Sequence, residues 1–109
     1  MMDSITIEKS VELLINAAPA GSKVILFGSH ARGDARPDSD LDFLVIEPRV
    51  ADHRREMVRL HHVLQPLRVP ADVLVTTAAI FEEWRDTPGT VLYEAAKEGR
   101  VFDAGHCSC

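Results

Sequence analysis

At 109 residues the chain has room for one domain and one core, near the lower end for an enzyme that carries its own acceptor pocket. Hydrophobic residues make up 46% and charged residues 27%, a globular composition that excludes wholesale disorder. A formal net charge of −5 argues against gripping nucleic acid through its phosphates, which takes surplus Lys and Arg, so direct nucleic-acid binding is not expected.

Cys107 and Cys109 lie one residue apart at the C-terminus and cannot build a disulfide framework, which fits a reducing compartment. Nothing at the N-terminus reads as a signal peptide, and no stretch approaches the roughly 20 apolar residues that span a bilayer. The expectation is a cytoplasmic protein without membrane contact. Residues 1–104 are read as the domain and 105–109 as a disordered tail, although His106-Cys107-Ser108-Cys109 could hold a soft metal.

Ile7, Val11, Leu14, Ile15 and Ala18 recur at helical spacing between Thr6, read as the N-cap, and Pro19-Ala20-Gly21. That predicts a first amphipathic helix whose apolar stripe is core. Lys23 to Phe27 is a buried-strand pattern that stops at Gly28-Ser29. Ser29 to Ala31 is read as the start of a short helix, and Asp34 to Ser39, with Pro37, as a loop. A second strand runs from Asp40 to Ile46.

Strand side chains alternate, so Asp40 and Asp42 point the same way with alpha carbons roughly 6.6 Å apart. At that separation two carboxylates repel by roughly 2.5 kcal/mol for an effective dielectric of about 20, and a divalent cation removes the penalty. Oxygen ligands of this kind suit Mg²⁺, which keeps some waters and is held by one or two carboxylates together with substrate phosphates. The preceding turn supplies the phosphate side. Gly28 lets backbone N–H groups approach an anion, Ser29 offers a hydroxyl, and Arg32 presents a planar fork of donors. Gly33 serves backbone shape. Two tempting alternatives fail. No Lys follows in the Walker pattern, and Arg32-Gly33-Asp34 is a tripeptide that occurs by chance.

Val50 to Gln65, after Pro48, reads as a second helix with Met57, Leu60 and Leu64 on one face and Arg54, Arg55 and Arg59 on the other. The arginines are by default a solvated face, with docking of an acidic partner or a nucleotide tail as the functional alternative. His61 and His62 suit the negative end of that helix and have no partner at metal-site spacing. Ala71 to Thr76 forms a third strand in which Asp72, Leu74 and Thr76 share a face. Taken alone, Asp72 is an acid at a strand end. Thr77 to Trp84 and Pro88 to Lys97 read as two short helices, with Trp84 and Tyr93 as packing residues. Gly99 is expected to cap the last helix, and Arg100-Val101-Phe102 to add an edge strand. The fold class is therefore α/β (α+β): a small mixed β-sheet with helices packed on one face.

Gly28-Ser29, ten residues, then Asp40-Leu41-Asp42, within GSHARGDARPDSDLD, resembles the signature of the nucleotidyltransferase superfamily related to DNA polymerase beta. In particular it is similar to the minimal nucleotidyltransferases that act as antitoxins beside HEPN-domain toxins. The resemblance implies transfer of AMP from ATP to a hydroxyl, a tyrosine of the HEPN partner, and Asp40, Asp42 and Asp72 as catalytic carboxylates holding two Mg²⁺ ions. Asp72 matches the third carboxylate of these transferases, with Glu47 as runner-up. Gly28, Ser29, Arg32 and Ser39 would bind the nucleotide. Two alternatives stay open: an antitoxin that masks its partner by contact alone, and a transferase acting on a small molecule, as the aminoglycoside-modifying relatives do.

Overall fold

A computed structural model describes residues 4–33 and 40–103. Four strands, β1 (Lys23–Phe27), β2 (Leu41–Glu47), β3 (Ala71–Thr77) and β4 (Arg100–Asp103), form one sheet in the order β3-β2-β1-β4. β1 runs antiparallel to β2 and β4, whereas β2 and β3 are parallel, so the sheet is mixed. A parallel pair needs a crossover, and α3 (His53–Val63) makes it.

The continuous apolar runs of β1 and β2 follow from burial on both faces. Val24, Leu26, Leu41, Phe43, Val45, Val73 and Val75 point to one side, where Val11 and Leu14 of α1 (Ser4–Ala17) and Leu60 of α3 close the main core. The small mixed sheet is the one expected, and α1 and α3 are the helices packed on this face. Ile25, Phe27, Leu44 and Ile46 point to the other side and hold a smaller cluster with Phe81 of α4 (Ala78–Trp84) and Ala95 of α5 (Val91–Glu98). Phe43 is wholly enclosed, worth about 2–3 kcal/mol of apolar burial.

Several boundaries differ from the sequence reading, each for a local reason. α1 starts at Ser4, so Thr6 is not its cap; the Thr6 carbonyl instead accepts a 2.9 Å hydrogen bond from the buried Ser10 hydroxyl one turn on. α3 starts later than Val50 because the Asp52 carboxylate accepts from the Arg55 N–H at 3.1 Å and caps the helix there. It ends at Val63, followed by a 3₁₀ turn over Gln65–Leu67 that carries Pro66 in its first turn. Thr77 and Thr90 cap α4 and α5, accepting from Ile80 and Tyr93 N–H at 3.2 and 3.1 Å.

Gly99 follows α5, as expected, but with φ −77° rather than in the left-handed region. Space explains the residue. A Cβ at this position would overlap Ile25 Cγ2 and the Ala95 carbonyl oxygen, so glycine lets the end of α5 seat directly on β1. No described helix is long and apolar enough to cross a membrane. Residues 104–109, which include the tail read as disordered, lie outside the described residues, as does the loop Asp34 to Ser39.

Candidate active site

Asp42 is the second residue of β2, opposite Phe27 of the antiparallel β1 and in register with Asp72 of the parallel β3. Residues in register on parallel strands point to the same face, roughly 4.8 Å apart. Asp42 and Asp72 therefore stand side by side on the face that carries the smaller core, at the edge of the sheet where β1 ends and β2 and β3 begin. Asp40 precedes β2 and is exposed; the next residue anchors it, because the Leu41 N–H donates to the Pro70 carbonyl at 2.9 Å. Asp42 is half-buried and Asp72 exposed.

Gly28 is required twice over. Its φ of 79° lies where side chains are strained, and a Cβ would overlap the Asp42 carboxylate. The turn thus presses backbone against the carboxylate. From it springs the single-turn α2 (Ser29–Arg32), in which the Ala31 and Arg32 N–H groups donate to the Gly28 carbonyl at 3.1 and 3.0 Å. Gly33, with φ 86°, ends the turn through its own N–H to Ser29 O at 3.0 Å. Ser29 is half-buried beside Gly28.

The electrostatics knit these residues together. Burial pushes the Asp42 carboxyl above the usual carboxylate range, the negative charges of Asp72 and then Asp40 push it further, and His30 and Arg32 pull it back. Sequence reasoning missed His30. Its one signal was its place between Ser29 and Arg32, in a turn already assigned to the site. Glu98 was missed altogether: Arg32 Nη1 donates to Glu98 Oε2 at 3.0 Å, an ion pair reaching from α2 to the last residue of α5. Ser39, expected among the nucleotide-binding residues, lies outside the described residues.

Glu47, the runner-up for the third carboxylate, is far from this cluster. It lies five residues along β2 from Asp42, roughly 16 Å away, and on the opposite face. It is buried, only 2% exposed, and hydrogen-bonded to Glu56. That Glu56 carboxylate is gripped by Arg59 through contacts of 2.8 and 2.6 Å, so Glu47 belongs to a packing arrangement between β2 and α3.

Among the described residues no group of three or more His, Cys, Asp or Glu side chains forms a ready-made metal cage. The donor set fits Mg²⁺ in its other mode, since that ion is commonly held by one or two carboxylates with the rest of its sphere supplied by water and substrate phosphates. Burial is the first cause of the raised Asp42 carboxyl and the charges of Asp72 and Asp40 the next, and that repulsive part is what a bound cation would relieve. Chemically, the arrangement is an acidic pair facing a glycine turn and a guanidinium, suited to a polyphosphate and its counter-ion.

The sequence profile of the family described as "Nucleotidyltransferase domain" matches residues 7–102. Solved structures share the fold, among them the two that follow. One is a candidate nucleotidyltransferase from Sulfolobus solfataricus, with a TM-score of 0.61 and 21% identity over 90% of this chain and 77% of that one. The other is a chain of a toxin-antitoxin crystallised with AMP-PNP, with a TM-score of 0.60 and 18% identity over 92% of this chain and 72% of that one. No protein of curated function matches the chain in sequence.

Proposed function

Because the chain belongs to the nucleotidyltransferase domain family, we propose that it transfers AMP from ATP to a hydroxyl of a protein partner, a tyrosine of a HEPN-type toxin, and so acts as an antitoxin. The observation that carries this reading is the in-register pairing of Asp42 with Asp72 against the Gly28 turn. The toxin-antitoxin structure of the same fold, crystallised with AMP-PNP, supports both the nucleotide and a partner chain.

In this proposal Asp40, Asp42 and Asp72 would hold the two Mg²⁺ ions that the resemblance implies, which would supply charge neutralisation of the triphosphate and a lower pKa for the acceptor hydroxyl. Gly28 and Ser29 orient the phosphates, and Arg32 contacts the outer ones. The acceptor oxygen forms a bond to the α-phosphorus while the bond to the bridging oxygen of the β-phosphate breaks. Pyrophosphate leaves, and the hydroxyl proton passes to Asp72 or to water.

The test is the mass of the partner. Wild type or Asp72→Asn is incubated with ATP, Mg²⁺ and the protein encoded by the neighbouring reading frame, and that partner is weighed intact. Wild type should add one or more AMP units and the variant none, with both still binding the partner. An unchanged partner whose toxicity is nonetheless suppressed would replace the enzyme with a masking antitoxin.

A further inference from the structure

Arg32, assigned above to the outer phosphates, already has an anion. Its guanidinium is paired with Glu98 at 3.0 Å, and the two residues are 66 positions apart in sequence. The meeting is built into the fold. Gly99 allows the end of α5 to seat on Ile25 and the Leu26 carbonyl of β1, and α2 starts two residues after β1 ends, so the last residue of α5 and the last of α2 converge. The pair lies at the rim, with side-chain exposures of 44% and 37%, open to exchange with a dissolved anion.

A guanidinium cannot give the same N–H groups to two anions at full strength, and its fork favours a phosphate as readily as a carboxylate. The geometry points to Glu98 as an intramolecular competitor of the polyphosphate: it holds Arg32 when the site is empty, yields it to the triphosphate, and reclaims it to expel pyrophosphate. This inference rests on the nucleotide site proposed above. It assigns to Glu98 the residence time of polyphosphate, with no contact to the reacting phosphorus.

The competition has a quantitative signature. A ligand that takes Arg32 must first break the ion pair, and rim pairs of this exposure are worth a fraction of a kcal/mol up to about one, equivalent to roughly threefold in affinity. Glu98→Gln keeps the shape and removes the charge. By calorimetry with Mg²⁺, ATP and inorganic tripolyphosphate should each bind about threefold more tightly to this variant, while AMP, which has no outer phosphates, should bind as it does to wild type. Dissociation of pyrophosphate, followed by stopped flow, should slow by the same factor.

The decisive arm is the double variant. In an Arg32→Ala background Glu98→Gln should change neither ATP nor tripolyphosphate affinity, because the contested group is gone. If Glu98→Gln tightens ATP equally in that background, Glu98 acts only through its general negative field and the competition is refuted. No change in the single variant refutes it as well, provided Arg32→Ala alone weakens ATP. Should Arg32→Ala leave ATP affinity untouched, the nucleotide-site reading itself fails, an outcome separate from the first two.

Discussion

Asp72→Asn separates a cost to the fold from a contribution to chemistry, and the pairing of strands sets the size of both. In-register neighbours on parallel strands lie roughly 4.8 Å apart, so two full charges there would repel by about 3.5 kcal/mol at an effective dielectric of about 20. Asp72 is exposed, and solvent screening reduces the usable figure to about 1 kcal/mol or less. The variant should therefore be more stable than wild type at pH 7 without metal, with a melting temperature several degrees higher, since about 1 kcal/mol moves a domain of roughly this size by 4–8 °C. The sign with pH follows from Asp42. Its folded carboxyl is raised above the unfolded value partly by Asp72, so the penalty is present at neutral pH and vanishes as pH falls below both values. Thermal melts at pH 7 and pH 3 should show a gain at the first and none at the second, and NMR titration should place the Asp42 carboxyl lower in the variant. Equal gains at both pH values, or a loss at pH 7, would refute the picture of two carboxylates held together against their repulsion.

Three further perturbations follow from the same contacts. Gly28→Ala forces a side chain into a left-handed backbone and onto the Asp42 carboxylate, so it should cost about 2–3 kcal/mol in urea unfolding and weaken Mg-ATP binding together; a variant as stable as wild type would show that the turn relaxes freely. Gly99→Ala should destabilise by about 1–3 kcal/mol through collision with Ile25 and the Ala95 carbonyl, and a chain that melts unchanged would mean that α5 does not seat on β1 as described. Burial and Glu56 push the Glu47 carboxyl up to about 8, so folded Glu47 keeps a proton that the unfolded chain has released near 4.5. Wild-type stability should then fall as pH rises from about 5 through 8, and Glu47→Gln should flatten that decline; urea midpoints at pH 6 and pH 8.5 that shift alike in the two proteins would refute it.

The parts of the site visible in the sequence are those that local geometry determines. Alternation along an extended stretch groups Asp40 with Asp42 in the sequence, though β2 itself begins at Leu41, and a Gly-Ser after a buried run is a turn in most folds. Asp72 needed more. Its place beside Asp42 depends on β3 pairing parallel and in register with β2, which no pattern within either strand specifies, and only the family resemblance nominated it. Glu98 lay out of reach because its partner is 66 residues away and its position depends on Gly99 packing against β1. Gly99 caps α5 as expected, but space rather than backbone sign requires the glycine, and glycines of the two kinds look alike in sequence.

The two acids of β2 carry the point further. Asp42 and Glu47 sit near opposite ends of one apolar strand, both with carboxyls raised by burial and by a neighbouring acid. On sequence, Glu47 is the runner-up to Asp72, the neighbour of Asp42, for the third carboxylate. What divides Asp42 from Glu47 is how each neighbourhood disposes of its negative charge. At the Glu47 end the fold has answered internally: Glu47 keeps its proton, Glu56 is held down to about 2 by the two contacts of Arg59, and Arg59 is fastened to the Ala17 carbonyl at 2.9 Å. A cation has nothing to add there. At the Asp42 end the acids face an open edge of the sheet, and of the two groups that pull Asp42 back, His30 and Arg32, the second is already paired with Glu98. The repulsion there is left for something from outside to relieve, which supports placing the proposed counter-ion beside Asp42 and Asp72 rather than beside Glu47.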